Sequence, residues 1–228
     1  MSLRVRSAEA ELMDGAVDYE TFRGCLRDLA RVNRLSGGYR PTLAFLDRLR
    51  LGPGPVTILD AGSGYGDALR AVAAWAARRG VAVRLIGLDL NPWSARAAGE
   101  ATGEGVPVTW ATGDALAWEE PVDVVLSALF THHLGDGDVV RFLRLMERVA
   151  RRGWFVNDLH RHPVAAHGFG PLAGLLGMHP MVRHDGPVSF RRSFRAAEWR
   201  RLLAEAGVEG AEVKRAFPFR LCVGRVRP

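Results

Sequence analysis

The chain has only two cysteines and one lysine, and no histidine outside residues 132–184. Cys25 and Cys222 are far apart and show no partner spacing. A disulfide framework is therefore not expected, and a reducing, cytoplasmic setting is. The opening stretch MSLRVRSAEAELMDG has no apolar run, so no signal peptide is expected. The longest strongly apolar run, Val122–Phe130, contains Asp123 and is far too short to cross a bilayer. Internal repeats and low-complexity linkers are also missing. The formal net charge is +6, yet the arginines alternate with acids, as in RFLRLMERVARR and AAEWRRLLAEAG. That is the pattern of solvated helix faces rather than of a nucleic-acid-binding stripe, so a nucleic-acid partner is not expected.

What is present is a regular alternation. Phe22, Leu26, Leu29 and Val32 step by three and four, and Leu43, Leu46 and Leu49 by three. These predict two helices within residues 8–50, broken at SGGYRPT, with Pro41 starting the second. GPGP (Gly52–Pro55) reads as a loop. Five strand-like runs follow: VTILDA, VRLIGLDL, VTWATGD, VDVVLSALF and WFVNDL. Helical stretches separate most of them: GDALRAVAAWAARRG, NPWSARAAGEATG and GDVVRFLRLMERVARRG, the last stopped by Gly153. Buried, near-continuous apolar strands alternating with helices predict an α/β fold with a doubly wound, mostly parallel sheet covered on both faces. Residues 161–193 read as a long insertion with one short apolar helix near Leu172–Met178. A helix at RAAEWRRLLAEAG and two final strands, paired as an antiparallel hairpin around Pro218, complete the chain. The expected organisation is a helical extension over residues 1–52, then a Rossmann-like domain over 53–228 with a lid at about 161–193.

Three acids end three successive strands. Asp60 lies before a G-x-G-x-G turn of Gly62, Gly64 and Gly66, with Ser63 between the first two. Such a turn lets a ligand lie against bare backbone. Its spacing differs from the G-x-G-x-x-G of dinucleotide sites, which argues against a nicotinamide-linked oxidoreductase. Asp60 suits a ligand carrying an ammonium or sulfonium. Asp89 can accept hydrogen bonds from ribose hydroxyls, and Asp114 can reach the amino group of an adenine.

VTILDAGSGYGDALR, LIGLDLNPWSA, ATGDALAW and VDVVLSALFTHHL together resemble, in order and spacing, the successive motifs of class I S-adenosylmethionine-dependent methyltransferases. The resemblance covers roughly residues 55–160, and it implies a seven-stranded sheet with a reversed C-terminal hairpin. It further implies S-adenosyl-L-methionine as cofactor, with Gly62 and its neighbours against the methionine part and Asp60 near its ammonium. Asp89 would hold the ribose and Leu90 would lie on the adenine. Asp114 and the Ala115 backbone would read the adenine edge, and Ser127 to Leu129 would lie near the methionine chain.

The histidines point to the acceptor. His132 and His133 follow the fourth strand, and Asp158 and His160 end the fifth, so the fold brings all four to one rim. A hydroxyl acceptor needs a base, and histidine titrates near neutrality. His133 is the favoured base and His132 the alternative, with Asp158 and His160 as substrate contacts; one histidine of the pair packing beneath the following helix is the competing reading. Asp158, His160 and His162 alternate as a metal trio might, but Pro163 and the absence of a fourth ligand argue against one, so no metal is expected. Phe169, Leu172, Leu175, Leu176 and Met178 either line an acceptor pocket or close the core edge. Tyr39 and Arg40 either reach the cofactor carboxylate or form a surface turn.

The expected activity is methyl transfer to a small-molecule acceptor, a phenol, quinol or other natural-product hydroxyl. The alternatives are a methyltransferase acting on RNA or protein and a cofactor-binding protein without turnover. The sequence has no Asn-Pro-Pro-aromatic run after the fourth strand and no Pro-Cys nucleophile, and its single lysine, Lys214, cannot support a lysine-based ribose-methylating tetrad.

Overall fold

A computed structural model describes residues 3–49, 51 and 54–227. Gly52 and Pro53 of the expected loop lie outside the described residues. The sheet strands are β1 Val56–Ala61, β2 Val83–Asp89, β3 Val108–Thr112, β4 Val122–Ala128, β5 Ala150–Leu159, β6 Glu212–Ala216 and β7 Arg220–Val226. Their spatial order is β3-β2-β1-β4-β5-β7-β6. The first five pair in parallel, while β7 runs antiparallel to both β5 and β6. Chain direction across the sheet therefore reverses between β1 and β4. The crevice beyond their carboxyl ends is where such sheets bind ligands.

The helices are α1 Tyr19–Leu35, α2 Arg40–Arg48, α3 Asp67–Arg79, α4 Pro92–Glu100, α5 Asp136–Val149, α6 Pro163–Leu175, α7 Pro180–Arg192 and α8 Ala196–Ala206. Both sheet faces are covered. Phe142, Leu143 and Met146 of α5 join Trp199 and Leu202 of α8 over one face. Phe45 and Leu46 of α2 join Leu69, Val72 and Trp75 of α3 over the other. The central strands β1 and β4 are mostly apolar because both of their faces are buried, while the edge strands β3 and β6 are partly exposed, β6 carrying Glu212, Lys214 and Arg215. Among the described residues, no helix is long and apolar enough to cross a membrane.

Two expectations change. The helix expected to run to Gly153 stops at Val149, and β5 begins at Ala150. Gly153 is instead a sheet residue opposite Val226, and a Cβ there would lie 2.5 Å from the Arg225 carbonyl oxygen. Its glycine serves a close strand approach rather than a helix stop. The insertion holds two full helices, α6 and α7, rather than one short one. Each begins at a His-Pro pair. His162 and His179 accept backbone N–H bonds from Val164 and Met181, both at 3.2 Å, with proline in the first turn. An imidazole cap has no place among the usual Ser, Thr, Asp and Asn start signals, so the two starts went unread.

The N-terminal segment packs on this insertion. The Asp185 carboxylate accepts the Leu12 and Met13 N–H groups at 2.9 and 3.0 Å, and Asp28 accepts the His179 N–H at 2.8 Å. Cys25 packs with Met178 and Val182. The two segments, distant in sequence, thus meet over the crevice.

Candidate active site

A cavity of about 1090 Å³ opens at the carboxyl ends of β1, β2 and β4. It is larger than a single cofactor needs and leaves room for a second small molecule. Asp60, Gly62, Ser63, Gly64, Asp89, Leu90, Asp114 and Ala115 all line it. The three strand-end acids therefore share one crevice.

Asp60 is 1% exposed, and its Oδ1 has no hydrogen-bond partner among the described residues. Burial pushes this carboxyl well above its ordinary range, and Asp67 and Asp89 push in the same direction. An unpaired acid held at such cost requires a cation or donor from a ligand. Asp89 is better served. Its Oδ2 accepts the Gly64 N–H at 2.8 Å and its Oδ1 the Asn91 N–H at 2.9 Å. These bonds fix the glycine turn against β2 and leave further lone pairs for hydroxyl donors. Asp114 caps a short turn through the Leu116 N–H at 2.8 Å. Leu90, 72% exposed, and Trp93 offer apolar faces at this end.

Two expected cofactor contacts lie elsewhere. Gly66 does not line the cavity; a Cβ there would stand 2.1 Å from the Trp110 ring, at a φ of +70°. It is a packing glycine. Gly66→Ala is expected to cost about 1–3 kcal/mol through overpacking, read as a lower urea midpoint at unchanged slope. Ser127 is buried and donates to the Ala61 carbonyl at 3.0 Å, tying β4 to β1. Its neighbours Ala128 and Leu129 do line the cavity, Leu129 at a φ of +54°.

The histidine pair separates into two roles. His132 is 3% exposed, beneath the surface. Its Nδ1 donates to Asp158 Oδ1 at 2.7 Å. Asp158 also accepts from Thr131 Oγ1 at 2.5 Å, from the His132 N–H at 3.0 Å and from the Leu159 N–H at 2.7 Å. Burial alone would raise this carboxyl, but His132 and these donors hold it below the usual carboxylate range. Asp158 is thus the anchor of His132 and does not line the cavity. His160 is also buried and off the cavity wall, its N–H bonded to the Phe219 carbonyl at 2.8 Å. Neither meets the expectation of a substrate contact, because the end of β5 and the residue after it lie beneath the rim.

His133 lines the cavity. Its Nδ1 lies 3.2 Å from Asp14 Oδ1. Asp14 is held below the usual range by His133 and also by Arg192, which lies 2.7 Å from it. The two rings lie against each other, centroids 4.2 Å apart, and Glu11 faces their Nε2 edges, with Oε1 3.6 Å from His132 Nε2 and Oε2 4.0 Å from His133 Nε2. Ser189 of α7 donates to Glu11 at 2.8 Å, and burial raises the Glu11 carboxyl. Arg6 fixes the turn from outside, donating to the His132 and Leu134 carbonyls at 3.2 and 2.9 Å.

Of the two readings of Phe169, Leu172, Leu175, Leu176 and Met178, the acceptor-pocket one is not met, since none of them lines the cavity. Leu172 and Leu175 are exposed, and Met178 packs on Cys25. Met13, Val17, Phe22, Leu26 and Leu29 form the apolar wall instead. Tyr39 lines the cavity with its hydroxyl on Asp67 at 2.6 Å, while Arg40 is exposed. Arg220 was not anticipated. Its buried guanidinium lines the same cavity and donates to Asn33 Oδ1 at 2.6 Å.

Residues 58–153 match the family described as a methyltransferase domain. The sheet has the Rossmann-like methyltransferase fold. S-adenosylmethionine is bound in solved structures that share this fold, among them human N-acetylserotonin methyltransferase. The fold is shared with a methyltransferase from Aquifex aeolicus at a TM-score of 0.59 and 19% identity, covering 92% of this chain and 97% of that one. Magnesium protoporphyrin IX methyltransferase from Synechocystis PCC 6803, with S-adenosylhomocysteine bound, aligns at 0.56 and 16%, covering 94% and 90%. Human N-acetylserotonin methyltransferase aligns at 0.65 and 15% over 92% of this chain, which spans 56% of that enzyme. No curated protein matches the sequence.

The methyltransferase cavity fits that cofactor on its own evidence. The orphaned Asp60 oxygen awaits a cation, the bare turn at Gly62 and Gly64 admits close approach, and Asp89 retains acceptor capacity. Asp89→Ala is expected to weaken cofactor binding by about 1–3 kcal/mol, the cost of unpaired buried hydroxyls. Titration calorimetry reads this directly, and wild-type affinity in the variant would remove Asp89 from the site.

Proposed function

We propose that the protein methylates a hydroxyl group of a small molecule, a phenol, quinol or comparable natural-product alcohol. The observation that carries this reading is the Glu11–His132–His133 cluster, whose Glu11 and His133 line the same cavity as Asp60 and Asp89. S-adenosylmethionine supplies the methyl group, carried on a sulfonium. Asp60 would pair with its ammonium, and Gly62, Ser63 and Gly64 would pack against the methionine part. Asp89 would take the ribose hydroxyls, Leu90 the adenine face, and Asp114 with Ala115 the adenine edge. The acceptor would occupy the side lined by Met13, Phe130 and His133.

Methyl transfer is an in-line displacement, so the protein's first task is to hold the acceptor oxygen in near-attack geometry. The apolar wall of α1 and the segment before it does this and excludes water. The N-terminal extension (1–52) and the insertion (161–193) act as the two halves of a cover. The second task is proton removal, which takes place at the histidine cluster. His133 is the cavity-facing member, oriented through Nδ1 by Asp14. His132 is the positioning member, fixed by Asp158.

Incubation with methyl-labelled cofactor and a panel of phenols and quinols tests this. The expected result is label in a methyl ether, identified by carbon-13 NMR. Transfer to RNA, to protein or to a carbon acceptor would overturn the reading, as would binding without transfer to any of these.

A further inference from the structure

We propose that Glu11, His132 and His133 form a binding site for a divalent transition-metal ion of the zinc class, with an open coordination position facing the cavity. The three residues come from two distant segments. Their donor atoms all lie within 4.8 Å of one another.

The orientation of the rings points to a cation. Each histidine has its Nδ1 held by a carboxylate, His132 by Asp158 at 2.7 Å and His133 by Asp14 at 3.2 Å. A carboxylate only accepts, so each Nδ1 carries a proton, and in the neutral ring each Nε2 presents a lone pair. Both Nε2 atoms face the Glu11 carboxylate, one toward each oxygen, at 3.6 and 4.0 Å. These separations are too long for hydrogen bonds. Arg192 already stands 3.6 Å from Glu11 Oε1, and an ion held by the three donors would place a second positive charge where the lone pairs meet the carboxylate. Donors of a tetrahedral zinc site, with bonds of about 2.0–2.2 Å, stand roughly 3.4 Å apart. The donor atoms stand within 4.8 Å of one another, so the three side chains would draw together on the ion to reach that spacing.

The surroundings follow the same logic. Metal-bound histidines typically donate their other ring N–H to a carboxylate, which fixes the tautomer. Here that arrangement occurs twice. Ser189 Oγ donates to Glu11 Oε1 at 2.8 Å and steadies the third ligand. Two imidazoles and one carboxylate match catalytic zinc centres that keep a fourth position for water or substrate. Glu11 and His133 both line the cavity, so that position is reachable from the acceptor side.

The existence of the site is independent of the acceptor; only its catalytic use rests on the hydroxyl reading above. In that use, Glu11, His132 and His133 would hold the ion, which would acidify the acceptor hydroxyl in place of a free His133 base, with the proton leaving to solvent. The oxygen then forms the new bond to the methyl carbon as the carbon–sulfur bond breaks.

The test uses the full chain, stripped with a chelator and titrated with zinc alone, then with cobalt. One tightly held equivalent is expected, with the visible absorption of low-coordinate cobalt. Asp14→Asn should weaken binding by about 10–100-fold, as for other carboxylates behind metal-bound histidines, and Glu11→Gln and His133→Ala by more. Asp60→Asn, in the cofactor pocket, should leave zinc affinity unchanged. Acetohydroxamate should shift the cobalt spectrum by entering the open position. Sub-stoichiometric binding, or binding indifferent to both His133→Ala and Glu11→Gln in folded protein, overturns the proposal. A cobalt spectrum that acetohydroxamate does not change removes the open position. None of these readouts needs the acceptor, so they stand apart from failure of the methylation assay.

Discussion

His133→Ala is expected to lower kcat by about 10²–10⁴-fold, the range spanned by groups that handle a proton in the transition state. Cofactor affinity should stay at the wild-type value. The expectation rests on position. His133 is the member of the pair on the cavity wall, and the residues assigned to the cofactor contribute none of its polar contacts. Its ring contacts are His132, Asp14 and Glu11. The side chain is 31% exposed, so the truncation leaves a wider cavity rather than a buried void. Stopped-flow or steady-state turnover, set beside calorimetric cofactor binding, separates the two effects. Equal loss of both would mean that the ring supports the cofactor pocket. Full activity in both His133→Ala and His132→Ala would remove the pair from proton transfer. His132→Ala carries a second cost, since it leaves Asp158 buried without its main partner.

Asp60→Asn is expected to move affinity and stability in opposite directions. Cofactor binding should weaken by about ten- to a hundredfold, the loss of a charged hydrogen bond of roughly 1.5–3 kcal/mol. The cofactor-free protein should become more stable. The sign follows from linkage. Burial raises the Asp60 carboxyl well above its unfolded value, so the folded state binds more protons than the unfolded one. Stability is therefore lost as pH rises from the unfolded pKa towards the raised folded one, and the full penalty stands above that. Asparagine removes the penalty because it never ionises. Thermal unfolding with and without cofactor measures both halves. A related consequence concerns pH. A bound ammonium beside Asp60 lowers its pKa, so binding expels a proton and affinity increases with pH. Calorimetry in buffers of different ionisation enthalpy reads the proton count, and a count of zero together with unchanged stability in Asp60→Asn would end this account.

The sheet and the cofactor side were legible because their signals are local. A strand buried on both faces must be apolar along its length, and VTILDA forms β1 over Val56–Ala61 as its composition implies. Asp60, Asp89 and Asp114 fall at or just beyond strand ends, so parallel pairing carries them to one edge. The Pro218 hairpin was legible for the same reason. Where local signals misled, packing had decided. Gly153 looks like a helix stop but serves a strand crossing. The insertion looked irregular because its glycines and prolines hide two helices started by histidine caps. The concentration of histidines in one region has a mixed answer: two cap helices, two join the cluster, His160 is buried, and His167 and His184 are exposed.

By itself, then, the sequence determined the alternation of strands and helices, the glycine turn and the strand-end acids that line one crevice, because each depends on neighbours within a few residues. The tertiary structure alone decided which histidine meets the cavity, that Asp158 anchors rather than binds, and that Glu11 and Asp14 belong with the histidines at all. The place of Glu11 and Asp14 depends on the N-terminal segment folding back across α7 to the end of β4, and that of Asp158 on the pairing of β5 with β4. Contacts between residues more than a hundred positions apart are selected by the packing of whole elements, and no short stretch of sequence encodes them.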